Sequence, residues 1–360
     1  MEIKSSSGFV LVTGGLGYIG SHVVVKLMAQ NHNVLIYDNL SNSDISVKDR
    51  IIDIAGRSDL LTFVEGDIRN EYGVRALFDQ YHIHTVMHFA ALKSVGESDK
   101  YSELYNDVNV QGTKKLLHIM KNHGCKTFIY SSSATVYGDS APPVIEESNV
   151  GNNLTCNYAR NKYDIEQYLI ANHQEGKGFA DWNITILRYF NPIGAHPSGK
   201  IGENPNGIPN NVFPYLLKVA KWANTDVSER DADSPYSFFT IFGDSYETRD
   251  GTCIRDYIHV QDLARAHVQV LDVMGVGENK LRIYNVGTGT DSTVLELVEC
   301  LNKVLRDKNK KTINYIIGNK RDGDLDISYA IVDKIYREVG FRTEYDVMKM
   351  CEHGLGFIGL

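Results

Sequence analysis

Tyr158 and Lys162 stand four residues apart in a stretch whose patterning predicts a helix over Tyr158–Asn172. One helical turn separates them, so both project from one face. A phenol ordinarily ionises near pH ~10, too high for a base at neutrality. A neighbouring ammonium favours the phenolate and brings such a pair toward acid/base duty. Alone the spacing is common on helix surfaces and carries little. A second signal is Ser131-Ser132-Ser133, at the end of the run Thr127–Ser131 that precedes this helix. A hydroxyl there can bond a reacting oxygen. Tyr158, Lys162 and Ser133 are therefore the catalytic candidates.

Chemistry of this kind needs an electron acceptor, and the N-terminal segment offers a place for one. Gly14, Gly17 and Gly20 form a Gly-x-x-Gly-x-x-Gly loop between the run Phe9–Thr13 and a helical stretch from Tyr18 to about Gln30. Glycines there permit a tight turn and close approach of backbone to a pyrophosphate, which rests on the helix N-terminus. Asp38 ends the next apolar run; an acid there bonds the adenosine ribose and repels a 2′-phosphate, selecting NAD over NADP. Asp67, in Glu65-Gly66-Asp67-Ile68, is either an adenine partner or a solvated turn acid.

The elements that must position these residues alternate. Strands are predicted at Phe9–Thr13, Asn33–Asp38, Thr62–Glu65, Thr85–Phe89, Thr127–Ser131 and Ile184–Tyr189, with helices including Val74–Tyr81, Tyr105–Asn122 and Tyr158–Asn172 between them. That order predicts an α/β fold with a doubly wound parallel sheet of Rossmann type covered on both faces. Beyond Tyr189 the character changes. Asn191–Pro209 is rich in Gly, Pro and Asn and reads as a ligand-facing loop, Asn224–Ser237 as a polar surface insertion, and Asp262–Met274 and Val294–Arg306 as helices of a smaller mixed α/β lobe. The expected domains are 1–190 for the dinucleotide and 191–360 for the substrate, with about 255–286 returning to the first.

Composition sets outer limits. The chain has 360 residues, 42% hydrophobic and 23% charged, as an ordinary globular protein does. Met1–Gly8 reads as a loose tail, and the apolar end Gly354–Leu360 is too short to cross a bilayer. A net charge of −8 with no basic stripe argues against nucleic acid. Cys125, Cys156, Cys253, Cys300 and Cys351 are scattered, pointing to reduced thiols in the cytoplasm, and the histidines lack metal-ligand spacing.

With these motifs the chain resembles the extended short-chain dehydrogenase/reductase family. The matching stretches are Thr13–His22, Val64–Asn70, His88–Ser98, Ser131–Asp139, Leu187–Gly199 and Arg255–Val260, spread from residue 9 to about 330. Arg188-Tyr189-Phe190-Asn191-Pro192 and Gly194-Ala195-His196-Pro197 are similar to its sugar-nucleotide branch. The resemblance implies NAD-dependent epimerisation at C4 of a UDP-sugar, interconverting UDP-galactose and UDP-glucose through a 4-keto sugar. It implies Tyr158 as acid/base, Lys162 at the nicotinamide ribose and Ser133 aligning the oxygen. Implied cofactor contacts are Gly14, Gly17, Tyr18, Ile19, Gly20, Asp38, Asn39, Asp67, Ile68, Phe89, Ala90, Lys93, Asn109, Ser131, Tyr158, Lys162 and Tyr189. Implied substrate contacts are Lys93, Ser133, Ala134, Thr135, Tyr158, Phe190, Asn191, Asn210, Asn211, Val212, Thr240, Ile241, Phe242, Arg255, Arg321, Asp324 and Ser328. Arginine suits bidentate phosphate binding. Ser328 falls where the family's pocket wall varies between tyrosine and a small residue, so UDP-GalNAc and UDP-GlcNAc are expected substrates too.

The family also implies a homodimer joined through Tyr105–Asn122 and Tyr158–Asn172; Leu116, Leu117 and Met120 serve such an interface or an internal core equally well. Cys156-Asn157 departs from the Ser-Pro of relatives, an expected loosening before the catalytic helix. A nucleotide-sugar 4,6-dehydratase needs an Asp-Glu pair where this chain has Ala134-Thr135-Val136. A UDP-glucuronate 4-epimerase and a non-catalytic NAD(H)-binding regulator are the remaining alternatives.

Overall fold

A computed structural model describes residues 8–231, 234–275, 279–321 and 324–360. Of the expected loose tail Met1–Gly8 only Gly8 is among them, and Ala232 and Asp233 of the expected insertion are not. The apolar runs form β1 (Phe9–Thr13), β2 (Asn33–Asp38), β3 (Leu61–Glu65), β4 (Ile83–His88), β5 (Thr127–Ser133), β6 (Asn183–Tyr189) and β7 (Leu281–Val286). These make one sheet in the order β7-β6-β5-β4-β1-β2-β3, and the pairs β3/β2, β2/β1, β1/β4 and β4/β5 are parallel. The order reverses between β1 and β4, the crevice at which such sheets bind ligands beyond their strand ends. Helices α1 (Tyr18–Ala29), α2 (Ser46–Ala55), α3 (Glu71–Gln80), α4 (Thr113–Asn122), α5 (Asn157–Asn172) and α6 (Val260–Val273) alternate with the strands.

The chain divides into two units. The first takes the described residues up to Gly138, with Asn149–Arg188 and Ala264–Tyr284; the second takes Asp139–Ser148, Tyr189–Leu263 and Asn285–Leu360. Ala264–Tyr284 falls within the expected returning segment of about 255–286 and carries most of the helix read over Asp262–Met274. Asp139–Ser148, expected in the first domain, lies in the second. Backbone pairing explains this change: Val144 bridges Ala330, and the Asn285 N–H donates to a Glu146 carboxylate oxygen at 2.8 Å.

In the first unit the apolar core includes Leu11, Leu35, Val86, Phe128, Ile165 and Trp182. Leu116, Leu117 and Met120 are fully buried in the same core, which decides between the two uses left open for them. The expected helix Tyr105–Asn122 is continuous but unevenly wound: a helix over Ser102–Asn106 passes through a π-helical turn at Asp107–Gly112 into α4. Helix α5 starts firmly rather than loosely. Cys156 Sγ accepts from the Ala159 N–H at 3.5 Å, and Asp99 accepts from the Asn157 N–H at 2.9 Å and its side-chain amide at 2.8 Å.

The second unit has its own core, built from helices Val212–Asn224, Val294–Asp307 and Val347–Phe357 around the strand Phe239–Phe242. Thr293 and Glu296 form a reciprocal capping box on the second of these helices, and Asp346 caps the third through the Lys349 N–H at 2.8 Å. Among the described residues no helix is long and apolar enough to cross a membrane.

Candidate active site

The glycine loop leaves β1 and enters α1 on backbone that only glycine fits. Gly14 has φ +70°, and a Cβ there would lie 2.8 Å from the Ala90 nitrogen. A Cβ at Gly20 would strike the Gly14 carbonyl, and Gly17 is the N-cap of α1 with no side chain in front of the helix end. The first-turn amides of α1, beginning at Tyr18 and Ile19, thus face an open cradle at the positive end of a helix. Asp38 stands beside it. One carboxylate oxygen accepts from the Leu16 N–H at 3.0 Å, the other from the Leu40 N–H and the Ser43 hydroxyl, each at 2.9 Å. Cradle and acid fit an adenine dinucleotide.

Other expected cofactor residues divide by what their side chains already do. Asp67 accepts from Asn39 at 2.9 Å and pairs with Arg69 at 2.8 Å, which holds its carboxyl well below the usual range. Lys93 reaches over the Tyr18 ring, 5.8 Å from its centre. The Phe89 ring packs 4.9 Å from that of His267, and the Ala90 N–H donates to Thr13 Oγ1 at 3.4 Å. Tyr189 is buried at the end of β6. Two side chains are committed elsewhere. Ile68 is in the apolar core, leaving only its backbone for a ligand. Asn109 spends both ends of its amide on Leu92, accepting from its N–H at 2.8 Å and donating to its carbonyl at 3.0 Å. Asn109 therefore shapes the loop that carries Lys93, with one amide hydrogen and one oxygen lone pair beyond those two bonds.

Sequence reasoning missed His88, at the end of β4. Its Nδ1 lies 2.7 Å from Thr13 Oγ1 and its Nε2 2.9 Å from Thr113 Oγ1, whose own hydroxyl donates to the Asn109 carbonyl at 2.7 Å. Burial, with the Lys162 charge nearby, brings its pKa down to about 3, so His88 is neutral. It ties the strand under the glycine loop to the Asn109 turn. No motif signals this, because its partners are 75 and 25 residues away.

The structure brings Tyr158, Lys162 and Ser133 together. Tyr158 and Lys162 lie in the first two turns of α5, and Ser133 is the last residue of β5. The Ser133 oxygen accepts from the Thr135 N–H at 3.2 Å and the Thr135 hydroxyl at 3.0 Å, leaving its own proton to donate toward Tyr158. Lys162 Nζ donates to the Ser131 carbonyl at 2.6 Å and lies 5.8 Å from the Tyr158 ring centre.

The electrostatics differ from the sequence expectation. Burial pushes the Tyr158 phenol up to about 12, against the downward pull of Ser133, and brings Lys162 down to about 7, against the pull of Glu166. Desolvation disfavours both charged forms and outweighs these opposing pulls.

The expected substrate residues of the second unit also gather. Arg255 donates at 2.8 Å to the carbonyls of Ile254 and Leu325 and lies 3.7 Å from Asp324. The Arg321 guanidinium stacks 3.8 Å from the Phe242 ring centre. Ser328 pairs in register with Arg255 on adjacent strands. Asn191 donates through its backbone N–H and its amide to the Asp256 carbonyl, at 2.9 and 3.2 Å, and the Asp256 N–H donates to the Ser328 carbonyl at 3.1 Å. Asn211 donates to Glu203 at 3.1 Å, beside the exposed Asn210 and half-buried Val212. Thr240 is half-buried and Phe242 exposed, whereas Ile241 between them is buried in the core and offers a ligand only backbone. That alternation is the period of a strand with one face inward. Phe190 is buried, and Ala134 and Thr135 form the tight turn after Ser133.

Comparison with known proteins places this geometry. The family described as the NAD dependent epimerase/dehydratase family matches residues 10–287. UDP-glucose 4-epimerase 2 of Arabidopsis thaliana is 40% identical over 344 residues, covering 95% of this chain and 92% of the relative. The crystal structure of a UDP-glucose-4-epimerase from Stenotrophomonas maltophila, with bound NAD and a formylated UDP-arabinopyranose, superimposes with a TM-score of 0.88 at 40% identity, covering 98% of both chains. A UDP-glucose 4-epimerase from Bifidobacterium longum, in complex with NAD+ and UDP, gives 0.87 at 38% identity and 97% of both. The chain belongs to the NAD dependent epimerase/dehydratase family.

Proposed function

We propose that Tyr158 is the acid/base of this enzyme and that Ser133 and Lys162 set its proton affinity. The chain is an NAD-dependent UDP-sugar 4-epimerase. The observation that carries the residue assignment is the meeting of the Ser131–Ser133 strand end with Tyr158 and Lys162. The glycine loop and Asp38 would hold NAD, which when bound would supply the acceptor and donor for the C4 hydride and a positive charge that favours the Tyr158 phenolate. Tyr158 Oη removes the proton of the sugar 4-hydroxyl and later gives it back, inverting C4. Ser133, saturated as an acceptor by Thr135, donates to the phenolate or to the sugar oxygen. Lys162 carries the positive charge that balances the phenolate and reaches the nicotinamide ribose. Arg255 and Arg321 bind the substrate's diphosphate and ribose, Lys93 offers its charge to the pyrophosphate, Asn191 and Asn211 supply amides, and Phe242 and Asp324 contact the uridine.

UDP-galactose and UDP-glucose are the proposed pair. Ser328, paired in register with Arg255, is small, and a small side chain at that wall would admit an acetamido group, so UDP-GalNAc and UDP-GlcNAc are proposed substrates as well. We also place the enzyme in the cytoplasm, a reading supported by its five free cysteines, and propose a homodimer, its helices flanked by exposed Tyr101 and Leu104. No observation favours the dehydratase, glucuronate or regulator readings.

Product analysis with UDP-galactose, UDP-GalNAc and UDP-glucuronate in parallel tests the substrate assignment; light scattering tests the dimer. Tyr158→Phe keeps its NAD and loses about a hundredfold to ten-thousandfold in turnover. Full activity in that variant overturns the mechanism, and no turnover of UDP-GlcNAc sinks the Ser328 reading.

A further inference from the structure

Glu166 has no part in the chemistry above, yet it is fully buried one turn beyond Lys162 on the same face of α5. Arg188 on β6, 2% exposed, grips its carboxylate: Nε lies 3.1 and 3.2 Å from the two oxygens, and Nη2 donates to Oε2 at 2.7 Å. Arg188 Nη1 donates to the Tyr137 hydroxyl at 2.9 Å, with the guanidinium 4.9 Å from that ring's centre. The remaining bond reaches the catalytic strand, where Ser132 Oγ donates to Glu166 Oε1 at 2.5 Å.

The three residues of this helix face thus meet three consecutive serines. Tyr158 bonds the Ser133 hydroxyl, Lys162 the Ser131 carbonyl and Glu166 the Ser132 hydroxyl. A buried ion pair is often no more stable than apolar side chains of the same volume. Stability alone therefore does not account for a charged pair here, and its place at the reacting edge does. Around Lys162 stand the Tyr130 ring at 5.0 Å, the Ser131 carbonyl, the Tyr158 ring and neutral His88; Glu166 supplies the negative charge that acts on it.

We propose that Glu166, clamped by Arg188, is a positioning residue that fixes the Ser131–Ser133 strand end against Tyr158 and Lys162 and keeps the Lys162 ammonium charged. The proposal rests on the acid/base reading of Tyr158, and it treats the ion pair as part of the reaction's alignment.

Three variants test it beside Tyr158→Phe. Ser132→Ala cuts the strand anchor and leaves the ion pair. It is expected to lower kcat about tenfold, as a small misalignment does, with KM, bound NAD and melting temperature unchanged. Glu166→Gln keeps the shape and removes the charge, and a Glu166→Met/Arg188→Met double variant removes both partners without stranding a buried ion. In both, kcat falls at least as far, and the Lys162 resonance, followed by NMR in isotope-labelled protein, titrates at lower pH than in the wild type. Wild-type kcat in Ser132→Ala overturns the proposal whatever the other variants do, including if they fail to fold. An unshifted Lys162 titration in a folded Glu166→Gln variant also overturns it. Should Tyr158→Phe keep its turnover, the acid/base reading falls instead, an outcome the Ser132 variant does not mimic.

Discussion

The strand–helix junction of the first unit and the arginine cluster of the second are both polar, but they are built on opposite plans. At the junction Lys162, Glu166, Arg188 and His88 are buried, and each is held by hydrogen bonds to residues of neighbouring strands, helices or turns. In the cluster Arg255 comes from one segment and Arg321 and Asp324 from another, and all keep contact with solvent, the arginines satisfied by backbone carbonyls and a ring face. The first plan suits groups whose proton affinity must be shifted, since burial supplies the shift. The second suits groups that must exchange their present partners for a ligand's phosphates, since half-solvated arginines give up little when they do.

This contrast is breakable, and Lys162→Met is the hardest blow. It should lower kcat about a hundredfold or more while leaving KM within a small factor, as steady-state kinetics will show. The same variant should melt no lower than the wild type, because it deletes a buried amine that burial already drives toward the neutral form. A variant that changed KM alone would place Lys162 with the arginines.

Arg255→Ala should do the reverse. Losing charge-assisted bonds costs about 2 kcal/mol, which raises KM for the UDP-sugar roughly thirtyfold and leaves kcat near its original value. A comparable loss in kcat would mean that the cluster also takes part in the chemistry.

Acid stability sharpens the comparison from another side. His88 is held at about 3 in the native protein, whereas unfolded histidine titrates near its ordinary 6.5. The unfolded chain therefore binds the extra proton first as pH falls. The stability that neutral His88 confers is complete above pH ~6.5 and is lost toward pH ~3, by about 1.4 kcal/mol per pH unit. Urea melts at neutral and mildly acidic pH should show this slope, and a His88→Phe variant should flatten it. Arg321→Lys gives the smallest effect: losing planar stacking on Phe242 should weaken UDP-sugar binding by about threefold, readable by calorimetry.

What was legible in the sequence follows the same divide. The glycine loop, Asp38 and the Tyr158–Lys162 spacing are short-range patterns imposed by a turn and a helix, and they can be read along the chain. Seven strands need apolar runs, and six of those runs stood out; the seventh, Leu281–Val286, was legible only as part of a returning segment. The π turn at Asp107–Gly112 widens a continuous helix without any Pro to announce it. Asn109 and Ile68 carry expected motif residues, but their side chains are claimed by Leu92 and by the core. Glu166, Arg188 and His88 could not be foreseen, since a buried charge or imidazole is defined by partners that the topology delivers from far away.

The Thr13–His88–Thr113–Asn109 chain of hydrogen bonds has one more consequence. Thr113 commits its proton to the Asn109 carbonyl, so it can only accept from His88 Nε2. Neutral His88 then has a bare Nδ1, which must accept the Thr13 proton. Every proton in the series points the same way, from the strand beneath the glycine loop toward the turn that shapes the Lys93 loop. The imidazole is thereby locked into one tautomer, and no side chain lacking a donor and an acceptor at that spacing can replace it without leaving one threonine unanswered.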